Sequence, residues 1–339
     1  MHAAPPPDPS LRQARRAVLR SALSMPVALV GCAARMTAPT REEGHVDAGA
    51  GVRLFYRVDG SGPRAVVVLH GGPGFTHDYL ADDLLPLARQ QRVIHYDQRG
   101  TGRSTLVTDA AALDAQRFAD DLEVVRQHFG LERLTLLGHS WGAAVAALYG
   151  MKHPQRVERV VLVGPMPLRL EALKHSFARV RASGDAEWQE RLRARGKALL
   201  AAPGDLEACR AFYDTWFTPF FGNAAARARS RGDFCAGTPE SRNNKTLSVD
   251  RYTVPSLGAF DWRGTLGAVR APVLIVHGSA DVIPVDSARE WAAALPDARL
   301  WVMDGVGHFP YLEAPAPFFD AVQAFLDGAW PAAAAGSRG

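Results

Sequence analysis

The chain has 339 residues, of which 47% are hydrophobic and 22% charged, and its formal net charge is +4. This length and composition are those of a globular protein that can hold one large domain with an insertion. The small charge, with basic residues scattered except near the N-terminus, argues against nucleic acid as a partner. The histidines and cysteines show no zinc-type spacing, and we expect neither a metal nor an organic cofactor.

Residues 1–36 are predicted to be an export signal and the start of a linker. A basic stretch containing Arg15 and Arg16 precedes the apolar residues 21–30, which are too few to span a bilayer. The apolar stretch runs into Leu-Val-Gly-Cys32 and resembles a bacterial lipoprotein signal, while the arginine pair resembles a twin-arginine signal. The resemblance implies an exported, periplasmic protein that meets the membrane only through a lipid on Cys32. A disordered basic tail with an unmodified cysteine is the alternative.

The next part of the chain alternates between short apolar runs and helical patterns. Residues 37–49 are predicted to be a polar linker, and residues 52–58 alternate like an antiparallel strand with one buried face. Apolar runs typical of parallel strands covered on both faces then occur at 65–69, 92–96, 134–137, 160–163, 272–276 and 300–303. Helical patterns occupy 118–129, 142–153, 288–295 and 317–326. This alternation predicts an α/β fold with a mostly parallel sheet and helices on both faces.

Residues 165–262 interrupt the alternation and contain helical spacing rich in Ala, Arg, Trp and Phe. We predict a helical cap there, inserted between two parts of a core at 50–164 and 263–327. Additional helices of the same layer are the alternative. Residues 328–339 are predicted to be a disordered tail. Cys209 and Cys235 would be able to form a disulfide in an oxidising compartment and would stay thiols in a reducing one.

The segment Gly138-His-Ser140-Trp-Gly142 lies between an apolar run and a helical pattern. Its two glycines leave room for a sharp turn that exposes the serine at the start of the helix. The helix dipole and free N–H groups favour negative charge at that point. The segment therefore predicts Ser140 as a nucleophile.

A serine nucleophile needs a base to take its proton and an acid to orient the base. On this architecture the partners follow in the order Ser, Asp, His, and an α/β sheet gathers its site at the ends of its strands. Asp281 and His308 each come just after a predicted strand, so we predict them as orienting acid and general base. Alternative acids are Asp286 and Asp304. The histidines expected only to pack and hydrogen-bond around the site are His70, His139 and His277.

Acyl transfer also needs two backbone N–H groups that face the developing oxyanion. The N–H of Trp141, directly after the nucleophile, is predicted to be one. The second is predicted at Gly72, in the loop His70-Gly-Gly-Pro-Gly74 that follows the first apolar run. No Gly-Lys-Ser/Thr follows this loop, so it is not a phosphate-binding loop.

Together these features resemble the α/β-hydrolase superfamily over residues 52–326. Three motifs resemble its proline iminopeptidase branch: His70-Gly-Gly-Pro-Gly74, Asp97-Gln-Arg-Gly-Thr-Gly-Arg-Ser104 and Ser140-Trp-Gly142. The resemblance implies a Ser-His-Asp aminopeptidase that releases N-terminal proline or other small residues, with an acidic cap group binding the free amine. The loop 97–104 is expected to hold the site together, and His139 stands where this branch has glycine. Predicted substrate contacts are Glu207, Glu240 and Trp216, with Glu187, Glu190 and Asp233 as further acidic candidates.

Two other functions remain open. A carboxylesterase or lactonase acting on small apolar acyl groups would use the same three residues. A non-catalytic protein would use the same scaffold to hold a ligand. Dehalogenases and epoxide hydrolases of this fold need aspartate at the turn, so Ser140 argues against both.

Overall fold

A twisted sheet forms the centre of the computed structural model, which describes residues 1–3 and 40–336. Within these residues the sheet has nine strands in the spatial order β1-β2-β4-β3-β5-β6-β7-β8-β9. The strands are β1 Arg41–Asp47, β2 Arg53–Asp59, β3 Ala65–Leu69, β4 Arg92–Tyr96, β5 Leu134–His139, β6 Val157–Val163, β7 Val273–Gly278, β8 Ala298–Met303 and β9 Ala335–Gly336. Strands β3 to β8 pair in parallel, and the pairings β1/β2, β2/β4 and β8/β9 are antiparallel.

Helices connect the strands and fill the insertion at 165–262. They are α1 Ala115–His128, α2 Trp141–Lys152, α3 Leu170–Ala182, α4 Ala186–Ala201, α5 Leu206–Trp216, α6 Pro239–Asn244, α7 Asp250–Tyr252, α8 Val285–Ala294, α9 Pro310–Glu313 and α10 Pro315–Leu326. A π-helical turn, Lys245–Val249, joins α6 to α7. Within the described residues, none of these helices combines the length and apolarity that crossing a membrane requires.

Alternate residues of the parallel strands face two separate apolar clusters. In β3, for example, Val67 and Leu69 belong to one cluster, whereas Val66 and Val68 belong to the other. Both faces of the sheet are therefore covered, which is why the parallel strands consist of near-continuous apolar runs. The predicted α/β fold is confirmed.

The chain order of the strands places the candidate site. Strand β3 lies between β4 and β5, so the connection after β3 runs to one side and the connection after β5 to the other. Where the connections of two neighbouring parallel strands run to opposite sides, a crevice opens at the carboxyl ends of the strands. The loop with Gly72 and the turn with Ser140 both begin at this crevice.

Two predictions at the edges of the fold were wrong. The linker predicted at 37–49 contains β1, which pairs antiparallel with β2 from Arg41 opposite Asp59 to Asp47 opposite Arg53. Only Val46 of this strand is buried. Backbone pairing and the ion pair between Arg41 and Asp59, 2.9 Å, hold this polar edge strand without an apolar pattern.

The tail predicted as disordered at 328–339 is ordered through Gly336. Residues Ala335 and Gly336 pair with Leu300 and Arg299 at the edge of the sheet. The Trp330 ring packs 5.0 Å from the Phe325 ring and lies under the Arg299 guanidinium. An aromatic anchor and an open strand edge thus order an alanine-rich segment. The predicted export signal with Cys32 lies outside the described residues.

Candidate active site

Ser140 occupies a strained turn between β5 and α2. Its backbone has φ 54° and ψ −114°, and residues other than glycine seldom adopt such a positive φ. A Cβ at Gly142 would overlap the carbonyl oxygen of Leu69, so only glycine allows α2 to start this close to β3. Because Trp141 is the first residue of α2, the Ser140 hydroxyl lies at the positive end of a helix dipole.

Asp281 and His308 form a hydrogen-bonded pair beside this turn. The His308 Nδ1–H donates to Asp281 Oδ2 at 2.7 Å, and the Ile283 N–H donates to Asp281 Oδ1 at 2.9 Å. Burial alone would raise the pKa of Asp281, but the attraction and hydrogen bond of His308 outweigh it and lower the pKa. An ionised Asp281 therefore holds the tautomer of His308 in which Nε2 is free to accept a proton.

The alternative acids lie elsewhere. Asp286 is exposed and pairs with Arg289 at 2.7 Å. Asp304 is exposed and accepts a hydrogen bond from Ser279 Oγ at 3.1 Å. Of the three candidates in the described part of the chain, only Asp281 contacts the imidazole of His308.

Gly72 and Trp141, the predicted oxyanion donors, line the same cavity as Ser140 and His308. Gly72 has φ +121°, and a Cβ there would lie 2.7 Å from the backbone nitrogen of Gly74. This position therefore requires glycine. The predicted nucleophile, the predicted base and the two predicted oxyanion donors therefore line one cavity, and only the orienting Asp281 lies outside its lining.

His70 orients the peptide that carries the Gly72 N–H. Its Nδ1–H donates to the carbonyl oxygen of Gly71 at 2.9 Å, and its Nε2 accepts from the Gln98 N–H at 3.0 Å. Burial lowers the pKa of His70 to about 4, so the ring is neutral at pH 7. In a trans peptide the C=O and N–H point in opposite directions, so fixing the Gly71 carbonyl also fixes the direction of the Gly72 N–H.

Gln98 connects the two segments that carry the donors. Its side-chain amide donates to the carbonyl of His70 at 2.9 Å, and its Oε1 accepts from the indole N–H of Trp141 at 2.9 Å. Gln98 lies in the loop 97–104, which was expected to hold the site together. Its individual role was not predicted, although its place in the second motif was a signal.

Asp97, which precedes Gln98 in the chain, forms a second polar cluster with His77. Asp97 accepts from the backbone and Nδ1 of His77 and from the backbone of Arg103. Among the described residues, His77, Asp78 and Asp97 have a spacing that would suit a metal ion. The Arg103 guanidinium lies 3.2 Å from His77 Nε2, so a cation bound there would meet a positive charge.

The cavity beside Ser140 has mainly apolar walls, many of them aromatic. The insertion supplies Phe177 from α3, Trp216 from α5, and Phe217, Phe220 and Phe234 from the segments that follow. The backbone N–H of His308 donates to the Phe220 carbonyl at 2.7 Å. This bond connects the insertion to the loop of the predicted base. The walls of this cavity therefore suit an apolar group.

Comparison with known proteins agrees with this geometry. The family model described as alpha/beta hydrolase fold matches residues 64–315. The chain belongs to this hydrolase family. It is 28% identical to a proline iminopeptidase of Heyndrickxia coagulans over 295 residues, covering 84% of this chain and 98% of the relative.

Solved structures show the same fold. A proline iminopeptidase from Mycobacterium smegmatis has a TM-score of 0.63 and 24% identity, covering 84% of this chain and 98% of that one. An esterase from Exiguobacterium antarcticum has a TM-score of 0.58 and 22% identity, covering 85% and 100%. The hydrolase is thus similar in sequence to proline iminopeptidases and in fold to esterases as well.

The predicted acidic substrate contacts of the hydrolase are corrected by the structure. Glu207 and Glu240 are exposed and do not line the cavity, whereas Trp216 does. Both glutamates lie in the first turn of a helix, where the dipole favours an acidic residue without any substrate. The remaining candidates pair with arginines at the surface: Glu187 with Arg191, Glu190 with Arg193, and Asp233 with Arg210.

Cys209 and Cys235 are joined in a disulfide. The bond connects α5, which carries Trp216, to the segment that carries Phe234. The Phe234 ring packs 4.3 Å from Phe217 and 4.8 Å from Tyr79. The disulfide therefore anchors one aromatic wall of the cavity. The sequence separation of the two cysteines did not reveal this role.

Proposed function

We propose that this hydrolase cleaves esters with an apolar acyl group through an acyl-enzyme on Ser140. The observation that carries the proposal is the cavity wall, in which none of the described lining residues is acidic. An ammonium group buried there would lose its hydration and gain no carboxylate. An apolar acyl group would instead gain about 25 cal/mol for each Å² of surface removed from water.

In the proposed reaction, Ser140 Oγ attacks the ester carbonyl carbon while His308 Nε2 takes the hydroxyl proton. Asp281 stabilises the resulting imidazolium, and the N–H groups of Gly72 and Trp141 bind the oxyanion. Collapse of the tetrahedral intermediate breaks the bond to the alcohol, which leaves with the proton from His308. A water molecule, deprotonated by His308, then cleaves the acyl-enzyme and releases the acid.

An aminopeptidase that releases N-terminal proline or other small residues is the second candidate. It is favoured by the 28% identity to a proline iminopeptidase that is covered over 98% of its length. Such an enzyme would need an anionic partner for the substrate amine, and the described cavity lining offers only neutral or basic side chains.

A matched substrate panel separates the two candidates. We expect turnover of nitrophenyl butyrate and nitrophenyl phenylacetate, and of an apolar lactone, because the aromatic walls bury the acyl group. Alanine nitroanilide with a free amine should react no faster than its N-acetyl derivative. An amide substrate that reacts only with its amine free, together with inert esters, would overturn the ester proposal in favour of the aminopeptidase.

We also propose that the protein is exported and anchored through a lipid on Cys32. The disulfide between Cys209 and Cys235 supports this, because such bonds persist in oxidising compartments and are rare in the cytosol. In bacterial cells the full chain should sediment with membranes, and Cys32→Ala should move it to the soluble fraction. Equal membrane association of the two proteins would contradict the lipid anchor.

A further inference from the structure

A buried chain of hydrogen bonds joins the loop of Gly72 to the loop of His308. The Gly71 N–H donates to the Tyr79 hydroxyl at 2.6 Å, and this hydroxyl lies 2.7 Å from His139 Nδ1. On the other side of the ring, His139 Nε2 lies 3.1 Å from the carbonyl oxygen of His308. Tyr79 and His139 are 1% and 3% exposed, so water does not compete for these bonds.

Only one arrangement of protons satisfies the whole chain. The Tyr79 hydroxyl accepts from Gly71, so its own proton points to His139 Nδ1. His139 therefore carries its proton on Nε2 and donates it to the His308 carbonyl. Burial lowers the pKa of His139 to about 3, so the ring stays neutral beside His308.

The position of His139 gives this chain its significance. His139 is the last residue of β5 and directly precedes Ser140, whereas Gly71 follows β3 and His308 follows β8. The two loops carry the proposed oxyanion donor and the proposed base. The first is bonded through Tyr79, and the second directly, to the residue that precedes Ser140. A Cβ on Gly71 would lie 2.8 Å from the Tyr79 hydroxyl and 3.2 Å from Ser140 Cβ, so these groups are in close contact.

We propose that Tyr79 and His139 are a positioning pair that sets the distance of the oxyanion loop and the base loop from Ser140. The inference rests on the proposed serine hydrolase function, and it concerns two cavity-lining residues that act through the loops they are bonded to. Catalytic groups must be held within a fraction of an ångström of the productive geometry, and loops achieve this only through supporting bonds. The pair supplies one such bond to each loop.

Tyr79→Phe and His139→Leu should each slow labelling of the full-length protein by a fluorophosphonate probe about 10- to 100-fold, the cost expected for misplaced reacting groups. Because each change breaks the same chain, the double variant should lose about as much as the worse single variant rather than the product of both losses. If the loss of the double variant instead equals the product of the two single losses, Tyr79 and His139 do not act as one unit and the proposal is overturned.

Tyr311→Phe is the matched control. The Tyr311 ring lies 5.8 Å from that of His139, and its buried hydroxyl has no hydrogen-bond partner within residues 40–336. Its removal takes away the same atom from the same neighbourhood without breaking the chain, so the labelling rate should stay at the wild-type value. If Tyr79→Phe reacts as fast as Tyr311→Phe, the proposal is overturned.

Inhibitor binding distinguishes positioning from a general loss of structure. An apolar boronic acid, which forms a tetrahedral adduct with the serine, should bind the folded Tyr79→Phe protein more weakly by the factor lost in labelling. The corresponding carboxylic acid product should bind as it does to wild type, since phenylalanine keeps the aromatic ring with which Tyr79 lines the cavity. Equal weakening of both ligands would indicate a damaged cavity and overturn the positioning role.

The labelling rate does not depend on which bond the enzyme cleaves in nature. Labelled wild type that turns over no ester would overturn the ester proposal, while the ratio of Tyr79→Phe to Tyr311→Phe would still decide the positioning pair. Should Tyr79→Phe fail to fold by circular dichroism, the same comparison is made with His139→Leu.

Discussion

Ser140→Ala is expected to lower kcat for the best ester of the panel by about three to six orders of magnitude, the range found when the nucleophile of a serine hydrolase is removed. The loss is this large because the acyl-enzyme route disappears and only binding and the oxyanion donors remain. Steady-state turnover and fluorophosphonate labelling measure it, and labelling should vanish. The variant should fold, since alanine adopts the turn at φ 54° no less readily than serine.

Ser176→Ala is the control for this experiment. Ser176 also lines the cavity, but its hydroxyl donates to the carbonyl of Ala172, one turn earlier in α3, at 3.0 Å. Its removal should leave labelling intact and change turnover little. Labelling that survived in Ser140→Ala, and was lost in a different variant, would move the nucleophile elsewhere.

Asp281→Asn is expected to lower kcat by about 10⁴-fold, as in other triads whose acid becomes an amide. The amide cannot stabilise the imidazolium, and its NH₂ group would favour the tautomer of His308 that has its proton on Nε2. That tautomer offers no lone pair to the Ser140 hydroxyl.

Asp304→Asn is the matched control, because Asp304 follows β8 near His308 but is exposed and bonded to Ser279. It should retain wild-type turnover. Near-normal turnover of Asp281→Asn would refute the assignment of the acid, and a large loss in Asp304→Asn would point to its replacement.

The fold could be predicted because its signals are local. Strands such as Ala65–Leu69 and Val273–Gly278 are buried on both faces, so they consist of apolar residues whatever their neighbours are. The elements at the edges gave no such signal. Strand Arg41–Asp47 is polar, and Ala335–Gly336 is only two residues long. Both are held by backbone pairing to another strand, which leaves no apolar pattern in the sequence.

The candidate site divides in the same way. Ser140, Asp281 and His308 could be placed because each follows a strand, and the carboxyl ends of parallel strands share one edge. Tyr79 and Gln98 could not be assigned their roles, since their partners, His139 and Trp141, are distant in sequence and no spacing rule relates them. Glu207 and Glu240 were misplaced because a helix N-terminus and an amine-binding site favour the same side chain.

The sequence alone determined the α/β architecture, the turn that exposes Ser140 and the order in which its predicted partners follow. These depend on apolar periodicity and on glycine at positions where a side chain would clash, both of which are local properties of the chain. Only the tertiary structure decided what surrounds Ser140. The described lining of its cavity contains many aromatic side chains and no carboxylate. The tertiary structure also decided which hydrogen bonds join the two loops, because cavity walls and buried networks arise from segments that meet only after folding.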